Sequence, residues 1–141
     1  MRKPSLLFTV LAAASVMTVV GCGHQDGPEL AAVAGKITLD GEPLPRVNLR
    51  FVPEGPGGSP SFGGTNSNGQ YKLLFNANRQ GAMLGKHRVE IEPATPETDE
   101  NGKPLPTAKV VAIPKKYVQP GVLTAEVKGG KNTVNFELVS K

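Results

Sequence analysis

The sequence predicts an all-β domain of about seven short strands, arranged as a β-sandwich behind an N-terminal signal peptide. Apolar residues recur at every second position from Val33 onward, which is the period of half-buried strands. Turn-forming Gly, Pro and Asn separate these runs, and no long helical pattern follows the leader. Two sheets with their apolar sides facing each other would bury such strands economically, and an open or closed barrel stays an alternative.

The first 21 residues have the plan of a secretory signal peptide. Residues 1–3 give a positive start, and residues 6–20 are apolar apart from three hydroxyl side chains. This apolar run has about 15 residues, whereas a membrane-spanning helix needs about 20. We therefore expect residues 1–21 to be removed as a leader.

Val19, Val20, Gly21 and Cys22 resemble the bacterial lipobox, in which aliphatic and small residues precede an acylated cysteine. Cys22 is the only cysteine, so an intrachain disulfide is impossible. The resemblance implies a diacylglycerol thioether and a further fatty chain such as palmitate on Cys22. Each buried methylene contributes about 0.8 kcal/mol, so two or three chains anchor a protein durably. We expect a lipid anchor in the cell envelope, with the outer membrane favoured because Gly23 is not the aspartate associated with inner-membrane retention.

The length and charge that remain after removal of the leader limit the number of domains and the kinds of partner. Cleavage before Cys22 leaves 120 residues, enough for one domain. We expect residues 22–31 to be a flexible tether and residues 32–141 to be the domain. The formal charge falls from +4 to +2 because Arg2 and Lys3 leave with the leader. So weak a charge favours neither nucleic acid nor another strongly charged partner.

Three pairs of alternating runs predict hairpins. Turn chemistry lies between the members of each pair, and the Asn68-Gly69 dipeptide is the strongest of these signals. A further strand, residues 86–91, places His87 on its apolar side. Residues 78–83 favour a turn of helix, and residues 110–113 an edge strand or a packed loop. The predicted hairpins join 33–39 to 47–51, 62–65 to 71–75, and 123–127 to 134–138.

Several motifs, in order, resemble the bacterial carboxypeptidase regulatory-like domains. Residues 33–51 follow the family pattern of a V-x-G-x-V strand, a D-G-x-P-L turn and a V-x-V-x-F strand. Residues 65–71 resemble its T-D-x-x-G-x-Y turn, with Asn66 in place of the aspartate, and residues 85–91 its G-x-Y-x-V strand, with His87 in place of the aromatic. The resemblance implies a transthyretin-like (prealbumin-type) Greek-key sandwich of seven strands, used as a non-catalytic module at cell surfaces.

The histidines offer no catalytic arrangement. His24 and His87 are the only two. We interpret His24, in the tether, as a solvated side chain and His87, on the apolar side of a strand, as a structural histidine with its hydrogen bonds satisfied. The transthyretin fold also includes hydroxyisourate hydrolases, which end in Tyr-Arg-Gly-Ser, whereas this chain ends with residues 138–141, Leu-Val-Ser-Lys. We therefore expect no enzyme.

Two polar clusters have simple structural interpretations. Asn66, Asn68 and Gln70 are spaced like calcium ligands, but calcium favours carboxylates and that segment has none, so we favour a plain turn. Glu90 and Glu92 share the polar side of one strand, where a solvated surface explains them without acid-base chemistry. We expect no metal and no cofactor.

These observations predict a membrane-anchored envelope lipoprotein whose non-catalytic β-sandwich is a structural or binding module. Its expected partners are membrane lipid, through Cys22, and an envelope protein or glycan, met through the Gly- and Pro-rich loops at residues 54–60 and 93–109. A periplasmic carrier of a small ligand is the alternative. An enclosed apolar pocket would distinguish the carrier from the module.

Overall fold

A computed structural model describes residues 27–105 and 111–141 as two β-sheets packed face to face. The predicted leader, the lipobox with Cys22, and His24 lie outside the described residues. Twelve strands and one short helix are present in the described part, instead of about seven strands, because several runs are broken into pieces of two or three residues. They are β1 (Leu30–Leu39), β2 (Glu42–Pro43), β3 (Val47–Pro53), β4 (Ser61–Gly64), β5 (Gln70–Lys72), β6 (Leu74–Asn76), β7 (Arg79–Gln80), β8 (Ala82–Met83), β9 (Gly85–Pro93), α1 (Lys115–Val118), β10 (Leu123–Val127), β11 (Lys131–Thr133) and β12 (Phe136–Leu138).

The first sheet is built around β1, which is hydrogen-bonded along both edges. Strands β8, β5 and β2 pair with it antiparallel, and β11 and β12 pair with it parallel. Ala34 is opposite Lys72 of β5 and also opposite Thr133 of β11, so these two strands lie on opposite edges. β1 begins at Leu30 and Ala31 is buried, so the sheet starts ahead of the predicted domain boundary at residue 32.

The second sheet is antiparallel throughout, in the order β10-β9-β3-β4-β6-β7. β3 lies at its centre, where Leu49 is opposite Ile91 of β9 and Gly63 of β4. The strand predicted at residues 86–91 is confirmed as β9, and His87 lies on its buried side.

The core fills the space between the sheets and consists mainly of the Val, Leu and Ile residues at alternate positions, as predicted. Phe51 is fully buried, and its ring centroid lies 6.3 Å from Tyr71, 6.3 Å from Phe136 and 5.9 Å from His87. Rings at these distances attract one another beyond the area that they bury. Phe51 is therefore the aromatic centre of the core.

Gly35 allows the segment between β11 and β12 to approach β1 closely. A Cβ atom at this position would collide with the carbonyl oxygen of Val134 and would lie 3.0 Å from the Tyr71 ring. The same carbonyl accepts a hydrogen bond from Tyr71 Oη at 2.6 Å, and the Val134 N–H donates to Ala34 O at 2.9 Å. The segment between β11 and β12 is thus held against β1.

Two of the three predicted hairpins are wrong as strand pairings, and the second is confirmed at one residue pair only. β1 and β3 belong to different sheets, as do β10 and β12, and β5 pairs with β1. Only Leu74, in the second predicted hairpin, is opposite a residue of β4, namely Phe62. A period of two tells which side of a strand is buried, and that side is the same whether the next strand lies beside it or across the core. The turns are therefore arches between sheets.

The first arch, residues 40–46, shows how the local backbone conformation directs the chain from the first sheet to the second. Asp40, Gly41 and Arg46 have positive φ angles of 50°, 85° and 57°, which turn the backbone sharply twice. Between these turns Leu44 is buried and its N–H donates to Ile37 O at 2.9 Å. Because this short segment occupies the edge of β1, β3 is directed into the other sheet.

The helical turn predicted at residues 78–83 is wrong, because this segment forms β7 and β8. Gly81 separates these strands with a φ of +103°, a conformation that an L side chain rarely adopts. A Cβ atom at Gly81 would collide with the Ala31 backbone, so a glycine is needed where the chain bends from the second sheet to the first.

The two predicted loops are largely exposed where the structure describes them. Residues 54–60 join β3 to β4, and residues 94–105 follow β9. Residues 106–110 lie outside the described part. Val111 and Ile113 pack partly buried against the core without forming a strand, which favours the packed loop over the edge strand.

Candidate binding groove

A groove of about 750 Å³ lies on the outer face of the second sheet. Its volume falls within the roughly 300–1,000 Å³ that is usual for ligand sites. Four neighbouring strands supply its floor, and the end of α1 with the segment that follows it forms one border. The outward-facing residues that line it are Asn48, Arg50, Phe62, Gly64, Leu74, Asn76, Glu90, Glu92, Val118 and Pro120.

One half of the groove is apolar. Phe62 is 51% exposed and Leu74 is 47% exposed, and they lie side by side because they are paired across β4 and β6. Val118, which is 45% exposed, adds a third apolar side chain from the segment at the border. Large apolar side chains that cluster on a surface are typical of interaction sites, whereas single exposed ones are common everywhere.

The other half of the groove is polar. Arg50 and Glu90 are paired across β3 and β9, with Nη1 to Oε2 at 3.2 Å, and Arg88 Nε approaches the other oxygen of Glu90 at 3.2 Å. Both arginines are exposed and Glu90 is half-buried, so water screens the pairs and they contribute little to stability. Asn48 and Glu92 face each other in the next row. Arg50, Glu90 and Glu92 line this half, and Arg88, which lies next to the lining, brings the charges of the four side chains into balance.

Gly64 has no side chain, so the floor of the groove is open at this position. A Cβ atom there would meet only Asn48 Oδ1 at 3.6 Å and Val47 O at 3.9 Å, which are ordinary contacts. At Gly63, in contrast, a Cβ atom would lie 2.8 Å from Lys72 O of the opposite sheet. Packing therefore requires a glycine at position 63 but permits a side chain at position 64.

The groove is not evident from the sequence, where residues 62–65 predict only a short edge strand. The sequence feature that indicates it is the position of Phe62, a large aromatic residue, between the small residues Ser61 and Gly63. Ser61 is fully buried, and the close approach of β5 leaves no room at Gly63. Small residues thus take the inward positions of β4, and the large aromatic side chain is left outside.

His87 is buried as predicted, but only one of its ring nitrogens has a hydrogen-bond partner. Nδ1 lies 3.0 Å from Gly85 O, whereas Nε2 is buried without a partner among the described residues. Burial lowers the pKa of His87, and the Gly85 carbonyl and the Glu54 charge act in the opposite direction with smaller effect. The ring is remote from the groove face and belongs to the core.

We expect acid to destabilise the fold through His87. The unfolded chain takes up this proton near pH 6.5, and the folded chain only at lower pH, so stability is complete at neutral pH and falls below about pH 6.5. Urea unfolding at pH 7.5 and pH 5.0 should show a larger loss for the parent protein than for His87→Leu. Carboxylates titrate in both proteins and cancel in the comparison. Equal losses would show that His87 does not titrate on unfolding.

The two polar clusters of the sequence, residues 66–70 and the pair Glu90 and Glu92, have structural roles. Asn66 Oδ1 accepts the N–H groups of Asn68 at 2.9 Å and Gln70 at 3.0 Å, which confirms the predicted turn. Glu90 and Glu92 lie on the outer face of β9, as predicted, although they also border the groove.

The fold and the groove define a class: an all-β domain of two packed sheets with an open, half-apolar groove on one outer face. Across residues 27–105 and 111–141, no helix has the length and apolar character needed to cross a membrane.

Comparisons with known proteins add a distant structural likeness. No family model matches the chain, and no curated protein matches it. The crystal structure of a DUF3823 family protein from Parabacteroides merdae is similar, with 17% sequence identity and a TM-score of 0.43. The similarity covers 79% of this chain and 46% of that chain, so this chain spans about half the length of that protein.

Proposed function

We propose that this chain is a lipid-anchored protein of the cell envelope whose non-catalytic β-sandwich binds a partner through the groove on the second sheet. The observation that carries the binding role is the groove itself, with Phe62 and Leu74 exposed side by side on its floor. The motifs that resemble carboxypeptidase regulatory-like domains support an accessory module with a Greek-key arrangement. The four residues that resemble the lipobox support the anchor.

A non-catalytic role agrees with the chemistry of the groove. Its lining, within the described residues, includes no histidine, cysteine or serine that would act as base or nucleophile. Glu90 contacts Arg50 through one carboxylate oxygen and Arg88 through the other, so both oxygens are engaged in ion pairs. The groove offers contacts for recognition.

The stem before β1 supports placement of the groove close to the anchor. Arg79 Nη2 of β7 donates to Pro28 O at 2.7 Å, so the chain is fastened to the edge strand of the groove-bearing sheet. Gly27 is five residue steps after Cys22, and an extended chain covers at most about 3.6 Å per step. An anchor on Cys22 would hold this edge within about 20 Å of the bilayer surface.

A small-ligand carrier is the second candidate, because the groove volume suits a small molecule. A carrier protects its ligand by enclosing it, whereas this groove is on an outer sheet face. The space between the sheets is filled by fully buried side chains, including Phe51, Ile37 and Leu73. We therefore favour the binding module.

Site-specific photo-crosslinking in intact cells tests the binding role. A photoreactive amino acid at Phe62 should give discrete cross-linked products, because this side chain faces the groove. The same amino acid at Ala32, an exposed position on the outer face of the first sheet, is the matched control and should give none of them. Addition of Gly64→Val should remove the products by filling the floor. Identical products from positions 62 and 32 would contradict a role for the groove.

A further inference from the structure

The register of the second sheet arranges the groove in a defined order from polar to apolar. Glu90, Arg50, Phe62 and Leu74 occupy one continuous row, because each is paired with the next across adjacent strands. Strands are about 4.8 Å apart, so this row is about 14 Å long. A ligand that lies along it meets charged groups at one end and an aromatic ring followed by an aliphatic side chain at the other.

The charges in the row are already compensated. Arg50 and Arg88 both contact Glu90, and Glu92 adds a second negative charge nearby. A strongly anionic ligand would meet the glutamates, and a cationic ligand would meet the arginines. The groove therefore favours an uncharged ligand that exchanges hydrogen bonds with planar polar groups.

The backbone of the floor is not available to an extended peptide. β3 is hydrogen-bonded along both edges, to β4 and to β9, so its N–H and C=O groups are occupied. A peptide strand binds by adding to an open sheet edge, and a helix binds through a long apolar stripe. Three exposed apolar side chains at one end of the groove provide neither.

From this order of groups, and resting on the proposed binding role, we infer that the groove binds a neutral oligosaccharide. A sugar ring has an apolar face of C–H groups and an edge of hydroxyls. The C–H face packs on the Phe62 ring, and the hydroxyls bond with the amide of Asn48 and with the charged pair of Arg50 and Glu90. Gly64 leaves room for the ring beside Phe62.

Direct binding to defined glycans tests this inference. The purified mature protein in detergent is titrated with neutral oligomers of glucose, mannose and N-acetylglucosamine, and with sulfated and polyuronic oligomers as charged probes. We expect saturable binding of at least one neutral oligomer. Phe62→Ala and Asn48→Ala should each weaken it at least tenfold, and Gly64→Val should abolish it. Ala32→Val, on the outer face of the first sheet, is the matched control and should bind like the parent.

The variants leave the core intact, so a loss of binding is not a loss of folding. Phe62 is half exposed, and a Cβ at position 64 makes only ordinary contacts, so unfolding midpoints should stay close to that of the parent. Binding of charged oligomers alone, or neutral binding that Phe62→Ala and Gly64→Val leave unchanged, would overturn the inference. So would the absence of any glycan binding. If position 62 still cross-linked to a protein in cells, the binding role would stand and only the glycan would be wrong.

Discussion

Gly35→Ala should lower the free energy of unfolding by about 2–4 kcal/mol, through overpacking and a lost hydrogen bond. The new methyl group would collide with the Val134 carbonyl oxygen. This atom is backbone, and it is fixed by Tyr71 Oη and by the bond from Val134 N–H to Ala34 O. The clash is relieved only if the segment between β11 and β12 moves away from β1, which breaks these bonds.

Gly64→Ala is the matched control for this substitution. It also places a methyl group on a strand glycine, but the methyl group meets only ordinary contacts there. Alanine is more favourable than glycine in a strand interior, so we expect no loss of stability. Urea unfolding followed by circular dichroism gives both free energies. If Gly35→Ala and Gly64→Ala both changed the free energy of unfolding only slightly, the segment between β11 and β12 would be able to move away from β1 at little cost.

Cys22→Ala should move the protein out of the membrane fraction. Two or three acyl chains supply many buried methylenes at about 0.8 kcal/mol each, and the substitution removes the acceptor for all of them. Labelling of cells with radioactive palmitate should mark the parent protein and not the variant.

Ser15→Ala is the control, since it changes the apolar part of the leader without altering the four residues of the motif. It should be labelled and fractionated like the parent. A Cys22→Ala protein that stays in the membrane with an uncleaved leader would contradict a lipid anchor as the sole attachment. The segment at residues 6–20 would then act as an uncleaved signal anchor.

The buried side of each main strand could be predicted from sequence, but its partner could not. Ile37, Leu49 and Val89 are buried as their alternation predicts. Alternation reflects burial against the opposite sheet and contains no information on the neighbouring strand. Gly35 was visible as a glycine inside a strand, a common mark of close backbone approach. The atom that approaches it belongs to Val134, which is 99 residues away, and no local pattern identifies it.

The candidate site was less predictable than the fold. Phe62 faces solvent because Ser61 and Gly63 occupy the inward positions, and this is decided by the distance to β5 on the other sheet. The row from Glu90 to Leu74 exists only after four strands are in register. For His87, the buried side followed from alternation, but the unpartnered Nε2 depends on the ring packing around Phe51.

The central position of β1 has a mechanical consequence. Force drawn through the stem at Gly27 enters the sandwich along β1, whose bonds to β2, β5, β8, β11 and β12 lie across the direction of pull. Bonds in that geometry are loaded together in shear, whereas bonds at the end of a hairpin would open one after another. A domain held by its N-terminal stem would therefore resist tension applied at that stem with its whole first sheet.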